Sequence, residues 1–88
     1  MNISTGDIVG FKITDHIEII GILSNKTDSM ITIMHPMHIT NSINTNDLIL
    51  LDYMKSSNEV SFRMEHMITL PRKVSEEIAK MFMEKVKK

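Results

Sequence analysis

The sequence contains no cysteine, which removes disulfides and thiolate metal sites together and fits a reducing compartment. It holds only four aromatic residues, Phe11, Tyr53, Phe62 and Phe82. Most of these fall at strand or helix positions with the look of a core, so a surface platform of stacked rings is not expected. No apolar run reaches 18 residues and no segment has the form of a signal peptide, so neither a spanning helix nor a cleaved leader is expected. The reading is of a soluble, cytoplasmic protein without a membrane partner. Net positive charge is missing too: the formal charge is -1, whereas phosphate binders usually carry a strongly basic footprint. There is no Gly-rich phosphate loop, no nucleophile elbow and no spaced pair of carboxylates. The chain is therefore read as non-enzymatic and without a cofactor.

What is present is a chain of 88 residues, room for one domain, with 42% hydrophobic and 24% charged side chains. Such a core is small. With disulfide and thiolate staples excluded, association with copies of itself is the favoured source of additional stability. Charge is segregated along the chain. Up to Leu70, four basic residues oppose eight acidic ones for a net of -4, and from Arg72 onward six oppose three for a net of +3. Any nucleic-acid binding is then expected to be local and modest.

Period-two patterning dominates the first 70 residues. Asp7–Thr14 places apolar residues in strand-like alternation, and a polar break at Asp15-His16 leads into a second strand. There Ile17, Ile19, Gly21 and Leu23 take one face while Glu18, Ile20, Ile22 and Ser24 take the other. A break this short predicts a hairpin. Gly21 inside the strand predicts a sharp bend or the close approach of another backbone. Asn25–Asp28 supplies turn residues, after which Met30, Thr32 and Met34 alternate with Ile31 and Ile33. Pro36 cannot donate to a ladder, so the third strand is expected to end, bulge or lie at an edge there before resuming over Met37–Thr40. Asn41–Asp47 reads as an exposed loop, Leu48–Met54 as a fourth strand and Lys55–Glu59 as a turn. Val60–Met64 and His66–Leu70 then give two short extended pieces. After Pro71 the period changes: Val74, Ile78, Met81, Phe82 and Val86 recur at helical spacing opposite a charged face. The expected architecture is mainly β, a small, strongly bent sheet or barrel over about residues 5–70 with one C-terminal α-helix over about 73–87.

Several short runs carry a resemblance. Gly21-Ile22-Leu23 followed by a polar turn and Met30 resembles the first motif of the Sm-like family, a G-x-L, three variable positions, an Asp, two more and a Met-Asn. Thr27 stands where that Asp falls, with Asp28 one place later. Phe62-Arg63-Met64-Glu65-His66-Met67-Ile68 is similar to the second motif, with Arg63 on its arginine. The whole arrangement, closing on a helix, looks like the compact Sm-like proteins carried by tailed bacteriophages. The resemblance implies a mainly β fold, a small five-stranded, strongly bent Sm-like barrel with one C-terminal α-helix, that assembles into a homo-oligomeric ring, of five to seven subunits, in a host cytoplasm if the source is viral. Ile31 replaces the base-contacting Asn of RNA-binding members and Met64 replaces a Gly, so the usual recognition of uridine is not implied.

On such a ring the inner loops would meet RNA. The candidate residues are Lys26, Thr27, Asp28 and Ser29 in one loop and Arg63, Met64 and His66 in the other, with His66 standing in for an aromatic stacker. The plain alternative is a solvated turn and a strand-end charge. A second functional reading uses the same barrel as a scaffold for a viral or host protein without RNA. His35 and His38 form an H-x-x-H pair, but on a strand that spacing points to opposite faces, so no metal site is expected. The nine methionines read chiefly as core filler, Met30, Met34, Met54, Met67 and Met81 among them, with Met64 and Met83 set apart. The basic end of the helix also bears Glu76, Glu77 and Glu84, which weakens any attraction to an anionic membrane.

Overall fold

A computed structural model describes residues 3–15, 17–41, 48–52 and 58–87. The expected loop tip over 42–47, the turn over 55–57, and Tyr53, Met54 and His16 lie outside the described residues. Six strands and one α-helix follow in order: β1 (Ile8–Thr14), β2 (Ile17–Lys26), β3 (Met30–Asn41), β4 (Leu48–Asp52), β5 (Glu59–Arg63), a 3-10 turn (Met64–His66), β6 (Arg72–Lys73) and α1 (Glu76–Val86). Five of the strands have five residues or more and the sixth has two. All pairings are antiparallel, in the order β4-β3-β2-β1-β6, with β5 also on β3. Among the described residues no ladder joins the two ends of this order, so the sheet is open.

β3 gives the fold its shape. Its first half pairs with β5 from Met30↔Arg63 to Met34↔Glu59, and its second half pairs with β4 from Met37↔Asp52 to Asn41↔Leu48. Against β2 the register runs Ile22↔Met34 and then Ile20↔Met37, so Gly21 alone faces both His35 and Pro36. That is a β-bulge, with His35 in the left-handed region at φ 53°. Pro36, which has no N–H, sits where the ladder is already interrupted. An extra residue reverses the facing of everything beyond it. Ile31 and Ile33 accordingly enter one cluster, with Val9, Phe11, Ile19 and Leu23, while Met37 enters another, with Ile20, Leu50 and Phe82.

Gly21 is needed at this crossing. A Cβ there would lie 2.7 Å from Cδ1 and 2.8 Å from Cβ of Ile33, closer than carbon atoms approach without displacement. Its absence lets Ile33 cross over β2 and fill the concave side, where Phe11 and Phe62 meet edge to face at 5.2 Å and 72°. The two faces expected of β2 are observed: Ile17, Ile19 and Leu23 serve the concave cluster, Ile20 and Ile22 the opposite one.

The helix covers that opposite face. Ser75 is its N-cap, its hydroxyl accepting from the Ile78 N–H at 3.4 Å, and Glu76 and Glu77 occupy the first turn, where the helix dipole favours negative charge. Phe82 is fully buried, and Ile78, Met81 and Val86 pack beside it as the helical spacing predicts.

Three expectations are corrected. His66–Leu70 is not a strand: the chain makes a 3-10 turn over Met64–His66 and then crosses to β1, tied there by the Ile68 N–H to the Lys12 carbonyl at 2.8 Å and the Lys12 N–H to the Thr69 hydroxyl at 2.9 Å. A side-chain acceptor in place of a carbonyl breaks the repeat that a ladder requires, and Pro71 cannot donate to one. Met30 and Met34 are not core residues but stand 39% and 38% exposed, because Ile31 and Ile33 take the concave side of the same strand. The turn expected at Asn25–Asp28 also starts later, since β2 continues through Lys26.

Candidate nucleic-acid interface

The turn between β2 and β3 is built on Thr27. Its N–H donates to the Met30 carbonyl at 2.8 Å, and its hydroxyl accepts from the N–H groups of Ser29 and Met30 at 3.3 and 3.1 Å. A threonine serves here because a short hydroxyl reaches its own backbone two and three residues on. The end of β5 lies alongside, with Met30 opposite Arg63 and the Met64 N–H donating to the Ser29 carbonyl at 2.8 Å. This bond carries the chain from β5 into the 3-10 turn.

The two segments enclose a surface cleft of about 390 Å³ lined by Asp28, Ser29, Met30, Arg63, Met64 and Glu65. That volume lies within the range of small-ligand sites. Four of the seven residues expected at the RNA site, Asp28, Ser29, Arg63 and Met64, thus share one cleft. Thr27 lies behind it as the turn's internal acceptor. Lys26 is exposed at the end of β2, opposite Ile31, and does not line the cleft; neither does His66, exposed at the end of the 3-10 turn. Met64 is half-buried and rooted in the concave cluster, so this wall is held by packing as well as by hydrogen bonds.

Two lining residues escape sequence reasoning. Met30 looks like core filler because it alternates with isoleucines, and only the pairing register shows it outside, facing Arg63. Glu65 lies between two candidate residues in the sequence. Its Oε1 is 3.3 Å from Arg63 Nη1 and 3.9 Å from His66 Nε2, so the cation of the motif arginine is already matched by a neighbouring carboxylate. The pair is exposed and contributes little to stability. With Asp28 and Glu65 against Arg63, the lining carries no excess of positive charge.

A second cleft, of about 340 Å³, lies where the start of α1 meets the sheet and is lined in part by Gly10, Glu18, Arg72, Lys73 and Ser75. The Lys73 ammonium is 3.8 Å from the Asp7 carboxylate. Among the described residues no group of three or more histidine and acidic side chains is placed to hold a metal ion, and no helix is long and apolar enough to cross a membrane. His38 lies in β3 between Ile19 and Leu51, and His35 is on the bulge. No protein-family model matches the chain, and no curated protein matches it.

Proposed function

We propose that the chain is a non-enzymatic, Sm-like ring subunit of phage or related viral origin that binds single-stranded RNA weakly through the cleft between the β2–β3 turn and the 3-10 turn. The observation that carries the reading is the meeting of Asp28, Ser29, Arg63 and Met64 in one cleft. Such a site engages bases more than phosphates, because its arginine is engaged with Glu65 and no excess of cations surrounds it. The ring reading draws support from the edges of the sheet. β4 stands at one end of the strand order and pairs only with β3 among the described residues, and a strand at the end of a sheet is suited to pair with another chain. Pairing between copies would complete the barrel wall that a single chain leaves open.

Anisotropy with labelled oligo-U and oligo-A at low and moderate salt tests the RNA reading. Saturable binding with a shallow salt dependence, corresponding to about one or two phosphate contacts, is expected. Absence of saturable binding removes it. Sedimentation at micromolar concentration tests the ring, and a monomer there removes that half of the proposal.

A rival reading, the scaffold without RNA, is favoured by a different observation. Ile68 and Leu70 are 56% and 66% exposed on the segment that crosses to β1, more apolar surface than a turn of this length needs to show. A pull-down that survives nuclease treatment and is lost in an Ile68→Ser, Leu70→Ser double variant would support it.

A further inference from the structure

We propose that the cleft, taken as the RNA site inferred above, reads the base through the Asp28 carboxylate and prefers guanine to uracil. The proposal follows from which hydrogen-bonding groups the cleft has left to offer. Its backbone donors are largely spent inside the fold: the Ser29 and Met30 N–H groups point to the Thr27 hydroxyl, and the Met64 N–H is bonded to the Ser29 carbonyl. Among the described residues the lining has one cationic side chain, Arg63, and one of its N–H groups is engaged by Glu65. The Asp28 carboxylate is different, for among the described residues it makes no hydrogen bond or ion pair, and a carboxylate group is an acceptor only.

A cleft whose backbone donors are largely spent inside the fold, and whose free carboxylate is an acceptor, favours a base edge made of donors at that carboxylate. Guanine presents N1–H and the N2 amino group side by side, which a carboxylate accepts as a parallel pair. Uracil presents one N–H between two carbonyl oxygens, so a carboxylate meeting that edge faces acceptors on both sides. Adenine and cytosine each offer an amino group next to a ring acceptor and fall between. The thioether chains of Met30 and Met64 supply apolar walls for the base, and the guanidinium of Arg63, steadied by Glu65, supplies a flat surface on which a base can stack. The preference is thus opposite to that of a site built around an amide side chain, a difference consistent with Ile31 standing where such a side chain would be.

The test is equilibrium anisotropy of the full chain with labelled adenine hexamers carrying guanine, inosine, cytosine or uracil at two central positions. Guanine is expected to bind about tenfold more tightly than uracil, the low end of what one good bidentate contact discriminates. Inosine, which lacks the amino group, should lose most of that advantage. Asp28→Asn, which replaces one acceptor oxygen by a donor in an exposed turn, should bring the guanine-to-uracil ratio to within about twofold. Circular dichroism and the unfolding midpoint of that variant confirm that its fold is retained. Equal or tighter binding of uracil, or a preference unchanged in Asp28→Asn, overturns the proposal while leaving the RNA reading in place. Failure of every hexamer to bind overturns both. An arginine-bearing peptide that binds more tightly than any hexamer, and depends on Asp28, assigns the carboxylate to a cationic side chain and overturns the guanine assignment.

Discussion

The two halves of β3 are built from nearly the same residue types yet meet different surroundings. From Met30 to Met34 the strand buries Ile31 and Ile33 on the concave side and leaves Met30 and Met34 in solvent, with β5 and the cleft at its end. From Met37 onward the buried side is reversed, and Met37, with Ile39 beside it, packs under α1. One residue of bulge makes the difference. The covered half is held from two sides, by β2 and β4 in the sheet and by the helix on its face, whereas the uncovered half presents its outer face and its terminal turn to whatever binds. On the proposed reading, the tasks of holding the structure and of meeting a partner are divided along a single strand.

The most severe way to break this comparison is to delete His35. Without the extra residue Met37 and Ile39 would turn to the concave side, and no cooperative unfolding transition is expected in urea, since an entire half-strand would face the wrong way. Phe82→Ala should come next, at about 3–5 kcal/mol for truncating a fully buried aromatic. Its amide chemical-shift changes should concentrate on α1, Ile20, Met37 and Leu50 and spare the cleft; changes of equal size at residues 27–30 would mean that the two halves are one cooperative core. Gly21→Ala should cost about 1–3 kcal/mol, because the new methyl group must displace Ile33 at the crossing point of both halves. A midpoint unchanged in urea would show that Ile33 gives way freely. Ser75→Ala should cost least, about 0.5 kcal/mol, the low end for an N-cap, because its bond to Ile78 is long at 3.4 Å. Helical ellipticity and the thermal midpoint together read that change.

Much of this arrangement is legible in the residues. The alternation through β1 and β2, the interruption at Pro36 and the shift to helical spacing after Pro71 each follow from a local rule, and each appears in the fold. Other features depend on long-range choice. Met30, Ile31, Ile33 and Met34 place apolar residues on both parities of one strand, so alternation cannot say which pair is inside; the branched isoleucines, packed on Phe11 and Val9, take the concave side. The stretch Met67–Leu70 has a strand's composition but must cross from β5 to β1, and two hydrogen bonds to Lys12 replace the ladder it would otherwise make. At the candidate site, the motif residues Arg63 and Met64 are visible in the chain. The partner that engages Arg63 is visible only once the 3-10 turn folds Glu65 back beside it.

The central proposal is that the cleft end of β3 meets RNA while the helix-covered end holds the fold. Titrating the isotopically labelled chain with a single-stranded RNA hexamer and following backbone amide shifts tests it most directly. The largest saturable shifts are predicted at residues 27–30 and 63–66, with α1 unmoved. Shifts led by Glu76–Val86, or none at an excess of RNA, would contradict the account.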